Sequence, residues 1–183
     1  MAYTTLNAIK NYGGFEDGED VVLSALMGSA RDIINLITNR VFDADESTER
    51  YFTRHRGIPD RFDNNKLFLD EDLAEEASHI TDTPTVVYLP ENDPPYHSIV
   101  VTAGSWNAQE VIINGYWGYS KTAPPSIELA CIKLVKWLYD QRDTTKGTSV
   151  IVTPEGQVLL PEGFPSDVMA ILGPYRKIVV AGL

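Results

Sequence analysis

The carboxylates between positions 70 and 76 are the residues most capable of chemistry. Asp70, Glu71 and Asp72 are followed closely by Glu75 and Glu76, and such a dense acidic run can bind a divalent cation weakly. An exposed acidic turn produces the same pattern. Acid–base catalysis needs a pair of groups in a pocket with separated pKa values, and the sequence indicates no pocket here. The run therefore indicates either a weak cation site or, more simply, a solvated turn.

A second acidic stretch begins like a calcium-binding loop, with Asp43, Asp45 and Ser47 at alternate positions. Such a loop needs glycine at its sixth position and a bidentate glutamate at its twelfth. This sequence has Thr48 and Arg54 at those positions. The stretch therefore lacks both the glycine and the glutamate that a calcium-binding loop requires.

The histidines and the cysteine form no recognisable site. His55, His79 and His97 have no metal-binding spacing, and Cys131 lies on the apolar stripe of a predicted helix, where it is expected to be a core residue. The sequence also lacks a phosphate-binding glycine loop, a dinucleotide-binding glycine motif and a nucleophile elbow. No catalytic residue, metal site or cofactor is predicted, and the protein is expected not to be an enzyme.

An aromatic segment is the most concentrated feature of the sequence. Tyr116, Trp117, Gly118 and Tyr119 follow a predicted strand, and Pro125 follows them at a predicted helix start. The segment predicts a packed corner in which a glycine permits a turn and large side chains cover a helix. A ligand-stacking or subunit-contact patch is the alternative.

Composition narrows the class of protein. The chain has 183 residues, 43% of them hydrophobic, which is typical of a folded domain of 20.3 kDa. Its net charge of -11 argues against nucleic acid binding as the main source of affinity. Residues 81–120 contain no Lys or Arg, which indicates a solvated face or a face toward something that must not adhere. No signal peptide and no membrane span are expected.

Periodicity predicts an α+β fold. Helices are expected at residues 6–12, about 20–40, about 125–142 and 166–172, and strands at 50–53, 66–69, 85–89, 98–102 and 110–114. A hairpin is expected to join 149–153 with 157–160. The predicted architecture is a small helical bundle with a β-rich insertion between the second and third helices and a β-prone C-terminal tail.

The predicted division follows from these elements. Residues 1–49 form the N-terminal helices, 50–119 the insertion, 120–176 the C-terminal helices and 177–183 the tail, all in one compact domain. The helical core is expected to consist of the apolar residues Leu26, Ile33, Ile37, Leu134 and Leu138.

Five short stretches occur along the chain in a characteristic order. They are residues 3–12 (YTTLNAIKNY), 30–42 (ARDII to TNRVF), 67–73 (LFLDEDL), 113–119 (INGYWGY) with Pro125 and 127–130 (IELA), and 167–176 (DVMAILGPYR). In this order they resemble the head–tail connector (adaptor or head-completion) proteins of long-tailed bacteriophages, and the INGYWGY stretch with Pro125 and IELA is the most specific of the five. The insertion at residues 50–115, whose stretch 90–95 is rich in proline, departs from the family pattern.

The resemblance implies a structural virion protein at the phage neck, present in the host cytoplasm during assembly. It implies a homo-oligomeric ring, expected to be dodecameric, that joins the portal protein to the stopper or tail-completion protein. DNA would pass through the lumen only as cargo, and an acidic lining would let it slide because phosphate and carboxylate repel each other. No membrane and no cofactor are implied.

The apolar C-terminal tail is expected to contact the portal or a neighbouring subunit, since a free monomer would expose it. Pairing within its own subunit is the alternative. The tail consists of Ile178, Val179, Val180, Ala181, Gly182 and Leu183.

Two other functions stay open at this point. One is another neck or tail component, such as a stopper or a tail terminator, although such proteins contain few helices. The other is a small metal-assisted hydrolase that uses the acidic run at residues 70–76.

Overall fold

A computed structural model describes most of the chain: residues 3–53, 62–63, 65–81, 84–104, 106, 110–142, 151–152, 158–159 and 164–177. It divides into two compact units. Within the described residues, the helical unit combines the chain up to Arg40 with residues 123–177, and the β unit comprises Val41–Thr122. The predicted α+β class is confirmed. The finer boundaries drawn from the sequence stay a prediction.

The helical unit contains four helices, close to the predicted positions. Thr5 caps the first helix, because its hydroxyl oxygen accepts a hydrogen bond from the Ala8 N–H at 3.2 Å. Gly14, at φ 69°, ends that helix, and Asn39, at φ 52°, ends the second, since both adopt the left-handed conformation that stops a helix. The helices are α1 (Leu6–Gly13), α2 (Asp20–Thr38), α3 (Pro125–Gln141) and α4 (Ser166–Leu172).

The core of the helical unit is aliphatic. In α3, both Leu134 and Leu138 are buried as expected from the stripe, together with Cys131. In α2, Ile37 is buried but Leu26 and Ile33 are partly exposed. At about 100° per residue, those two side chains lie at the edge of the buried stripe. That stripe consists of Leu23, Ala30, Ile34, Ile37 and Thr38.

The stretch Asp17–Thr38 is long and apolar enough to cross a membrane, by length and composition alone. The sequence predicts no such span, because it contains no uninterrupted apolar run of that length. A core helix passes the same test, and a third of its most apolar 18-residue window is buried. The other residues of the stretch are partly or fully exposed.

The β unit is built from two antiparallel sheets. One has the strand order β1-β7-β4 and the other β2-β3-β6-β5. The five long strands were predicted, but β2 and β4 were not, because two residues are too few to show an alternating pattern. The strands are β1 (Ser47–Thr53), β2 (Phe62–Asp63), β3 (Lys66–Leu73), β4 (His79–Ile80), β5 (Thr85–Leu89), β6 (Tyr96–Ala103) and β7 (Glu110–Tyr116).

A short hairpin lies outside these sheets. Its strands β8 (Ile151–Val152) and β9 (Val158–Leu159) pair antiparallel, in the region where the sequence predicted a hairpin.

Aromatic side chains fill much of the core of the β unit. Alternate residues of β7 point inward, with Val111, Ile113 and Gly115 buried, because strand side chains alternate between the two faces. The two sheets meet through a bridge between Leu73 and Trp117. The buried aromatic residues of this core are Phe52, Phe62, Tyr88, Tyr96, Trp106 and Trp117.

Candidate functional site

The aromatic segment at residues 116–119 forms a corner at the end of β7. The Trp117 indole N–H donates a hydrogen bond to the Thr48 carbonyl oxygen at 2.9 Å, and its ring lies 5.8 Å from the ring of Phe52. Tyr119 packs against Phe42 with ring centroids 5.2 Å apart. These contacts are those of a packed corner, and Trp117 is buried within it.

Gly118 is required by close backbone approach. A Cβ at this position would stand 2.9 Å from the Val41 carbonyl oxygen and 3.0 Å from the Ala44 Cβ. The Gly118 N–H donates to the Asp72 carbonyl oxygen at 2.8 Å, which ties the corner to the end of β3. The sequence predicted a glycine turn, but Gly118 is not among the residues with positive φ, so space and not backbone freedom selects it.

Arg50 joins the corner to the acidic run. Its guanidinium stacks on the Trp117 ring, 4.6 Å from the centroid, and donates to a Glu71 carboxylate oxygen at 2.7 Å. A second nitrogen lies 3.7 Å from an Asp70 carboxylate oxygen. A planar guanidinium can make both kinds of contact at once. Sequence reasoning missed this role, because strands β1 and β3 belong to different sheets and no local pattern relates them.

Lys121 makes a similar contact at the other end of the corner. Its ammonium lies 3.9 Å from the centroid of the Tyr116 ring and donates to Glu75 carboxylate oxygens at 3.2 Å. Two basic residues therefore compensate part of the acidic run and attach it to the aromatic corner. Asp72 is buried, while Glu76 is exposed.

The acidic run is a protein surface whose carboxylates pair with the side chains of Arg50 and Lys121. Among the described residues, no group of three or more His, Cys, Asp and Glu side chains could hold a metal ion. The second acidic stretch does not form a calcium-binding loop, since its part from Ser47 to Thr53 is strand β1. His79 and His97 are exposed on different sheets, and His55 lies outside the described residues.

Burial governs the titration of the groups near the core. It raises the pKa of the Cys131 thiol to about 12, so this side chain is a neutral core group at neutral pH. Burial also raises the pKa of Tyr88 and Tyr96, and the nearby Glu76 carboxylate adds to both shifts. These phenols stay protonated, and their rings pack against each other with centroids 5.1 Å apart.

Of the site residues predicted from the sequence, the structure describes those of the corner but not those of the tail. The corner residues Tyr116, Trp117, Gly118 and Tyr119 come together, and Pro125 is the first residue of α3. The predicted tail, residues 178–183, lies outside the described residues. A contact role for the corner or the tail stays a prediction.

The fold and the corner define an α+β protein in which a two-sheet acidic β unit is inserted between the helices of a four-helix unit. The family model of head completion proteins matches residues 2–178. The chain belongs to the head completion protein family, which confirms the resemblance drawn from the sequence.

Two solved structures share the fold of this chain. One is the neck of an empty gene transfer agent particle, computed with C6 symmetry, with a TM-score of 0.60 at 16% identity, covering 98% of this chain and 92% of the other. The second is the neck of a native particle of the same kind, computed with C12 symmetry, with a TM-score of 0.58 at 16% identity, covering 100% and 97%. No curated protein matches the chain.

Proposed function

We propose that this protein is a structural subunit of the neck of a phage-like particle, at the junction of head and tail. The match of residues 2–178 to the head completion protein family carries the proposal. The two solved necks that share the fold support it, since each covers nearly all of this chain. The protein acts by binding other virion proteins and transforms no substrate.

We further propose that copies of the chain form a homo-oligomeric ring of twelve around the DNA channel. The C12 and C6 symmetries of the solved necks support a ring. Identical subunits joined head to tail form a closed ring when the rotation from each subunit to the next is a whole fraction of a full turn. The ring would join the portal protein on one side to the stopper or tail-completion protein on the other.

The charge of the β unit supports a place beside the DNA. Residues 41–122 contain 15 acidic and six basic residues, a net charge of -9 of the total of -11. Exposed carboxylates include those of Glu46, Glu49 and Glu110. Such a surface repels phosphates, so DNA passes it without adhering.

The tail at residues 178–183 is proposed to contact the portal protein. An apolar, β-prone segment is stabilised when another protein buries it, either by strand addition or by insertion into a groove. Deletion of residues 178–183 should leave a folded protein that no longer joins portal-bearing heads. Normal joining by the truncated protein would remove the tail from the proposal and leave the neck role intact.

The neck role itself is tested in cells that produce the particles. Cells without this chain should yield filled heads that lack tails, and the wild-type chain supplied in trans should restore tailed particles. Electron microscopy with an antibody against the chain should mark the head–tail junction. Tailed particles formed in its absence, or a chain missing from purified particles, would contradict the proposal.

A further inference from the structure

The outward face of α2 carries an apolar surface that the helical unit leaves uncovered. Val21 is 84% exposed, although it is a branched aliphatic residue. In a chain of net charge -11, an outward helix face is expected to carry charges. Asp32 is the only charged residue of this surface, which we call the α2 face; its exposed residues are Val21, Val22, Ser24, Ala25, Gly28, Ser29, Asp32 and Leu36.

A second apolar surface lies on α1 and α3. Tyr12 is 49% exposed and Leu129 is 40% exposed. Lys133 follows Leu129 by one turn on the same side of α3. The end of α1 lies against this side of α3, since Phe15 packs against Tyr139 and its ring lies 5.9 Å from the Lys136 ammonium, one turn beyond Lys133. Tyr12, Leu129 and Lys133 therefore form one surface, which we call the α1/α3 face.

The two faces differ from each other, as a ring requires. A ring of identical subunits joined head to tail needs two different and complementary faces on every copy, whereas a two-fold dimer needs one face that complements itself. Resting on the neck ring proposed above, we infer that the α2 face of one copy packs against the α1/α3 face of the next copy. The protein that covers the α2 face is thus a second copy of this chain.

The details of the two faces support this pairing. Ala25, Gly28 and Ser29 are small, so another helix can approach α2 closely. The charges beside the two faces are paired within the chain: Asp17 and Asp20 with Lys10, Lys133 with Asp167, and Lys136 with Asp140. The contact is therefore expected to be chiefly apolar, between Val21, Val22 and Leu36 of one copy and Tyr12 and Leu129 of the next.

A lipid bilayer is the other surface that such a helix could cover. The same α2, however, buries Leu23, Ala30, Ile34 and Ile37 inside the helical unit. Insertion into lipid would separate these side chains from α3, so it would require the helical unit to open. Association through the outward face leaves this core intact, so it is the arrangement that the structure favours.

Cysteine cross-linking in purified particles tests the pairing. One chain carries Ala25→Cys and the other carries Leu129→Cys, and particles are assembled from an equal mixture. A short bismaleimide should give covalent dimers from the mixture and none from either variant alone. A chain that carries both cysteines should give a ladder of higher oligomers. The native Cys131 is buried with a pKa of about 12, so it contributes no background.

The controls separate the failure of the pairing from the failure of the neck role. Thr48→Cys, exposed on β1, replaces Ala25→Cys in a matched mixture and should give no dimers. Particles that contain the chain but give no cross-link above this control would overturn the pairing and leave the ring. Cross-linking of Ala25→Cys chains with one another would show a two-fold contact and also overturn it. Particles without the chain would instead contradict the neck role.

A charged variant gives an independent readout. Val21→Lys with Ala25→Lys should fold normally, because lysine is a good helix former, and far-UV circular dichroism checks this. Its incorporation into particles should fall at least tenfold, while Tyr51→Lys in the β unit should be incorporated normally. Normal incorporation of the double variant would overturn the inference. Flotation of the wild-type chain with phosphatidylcholine vesicles, lost in the double variant, would identify a lipid surface and overturn it as well.

Discussion

The two units of this protein are built from different side chains and present different surfaces. Among the buried hydrophobic residues that the structure describes, the helical unit has one aromatic, Tyr3, whereas the β unit has seven. The helical part, residues 1–40 and 123–178, carries 11 acidic and nine basic residues, while residues 41–122 carry 15 and six. The helical unit exposes apolar helix faces, and the β unit exposes carboxylates.

This difference separates two physical tasks. Near-neutral apolar faces associate because association removes them from water. A surface of net charge -9 resists association with other anions and with its own kind. An assembly subunit that must bind sister copies and let a polyanion pass needs both, and here they lie in different units. Substitutions in each unit, followed by the free energy of unfolding and its pH dependence, test this division.

The largest effect is expected in the aliphatic core. Leu134→Ala should lower the free energy of unfolding by about 2–5 kcal/mol, because Leu134 is fully buried in α3 and its removal leaves a cavity. Urea unfolding followed by far-UV circular dichroism measures the change. Leu129→Ala, on the exposed side of the same helix, should change it by less than about 0.5 kcal/mol. Equal effects at the two positions would show that the buried stripe of α3 is assigned to the wrong side.

The second effect concerns the corner of the β unit. Gly118→Ala should lower the free energy of unfolding by about 1–3 kcal/mol, since the added methyl meets the Val41 carbonyl oxygen and the Ala44 side chain. Tryptophan fluorescence follows the unfolding, because Trp117 and Trp106 lie in this unit. A variant as stable as the wild type would mean that residues 41–44 move aside freely, and the corner would then not be a close-packed element.

The amino-acid sequence predicted the elements of both units but the site only in part. Helix boundaries followed from strong local signals, such as Pro125 at the start of α3 and Gly14 after α1. The buried stripe of α2 was placed partly at Leu26 and Ile33, because the periodicity of a largely apolar helix does not distinguish a core face from an association face. That same ambiguity hid the α2 face.

The contacts of Arg50 show what a sequence cannot supply. Arg50 meets Trp117 and Glu71, which are 67 and 21 residues away in the chain and lie beyond any helix or hairpin spacing. Only the arrangement of two sheets brings these three residues together. The aromatic segment was therefore recognisable as a corner, but the cation that joins it to the acidic run was not.

A smaller effect of opposite sign is expected on α2. Gly28→Ala should raise the free energy of unfolding of the isolated protein by about 0.5–1 kcal/mol, because alanine is the better helix former and a Cβ at Gly28 meets nothing within 4 Å. Thermal and urea unfolding measure it at low protein concentration. Gly18→Ala, in the turn before α2 and equally open, serves as the control and should gain less. Destabilisation by Gly28→Ala would indicate that α2 has a neighbour within its own chain at this face.

The smallest effect is a pH dependence that belongs to the helical unit. The Lys133 ammonium donates a hydrogen bond to Asp167, which holds the pKa of Asp167 below its ordinary value of 3.8 and raises the pKa of Lys133 above 10.5. The stability from Asp167 is therefore present above pH 3.8 and is lost as the pH falls through the lower folded pKa. The stability from Lys133 is present below pH 10.5 and is lost as the pH rises through its higher folded pKa.

Asp167→Asn and Lys133→Met should each flatten both the acid and the alkaline limb of the stability curve, because each variant removes one partner of the pair and thereby the pKa shift of the other. The changes should be small and should shrink in high salt, since the pair lies at the surface and is partly exposed. A double-mutant cycle measured by urea unfolding at neutral and acid pH isolates the coupling. An acid limb unchanged in Asp167→Asn would place the acid sensitivity elsewhere, and the crowded carboxylates of the β unit would then be its source. That result would sharpen the comparison, because it would make the acidic unit the part of the protein that responds to pH.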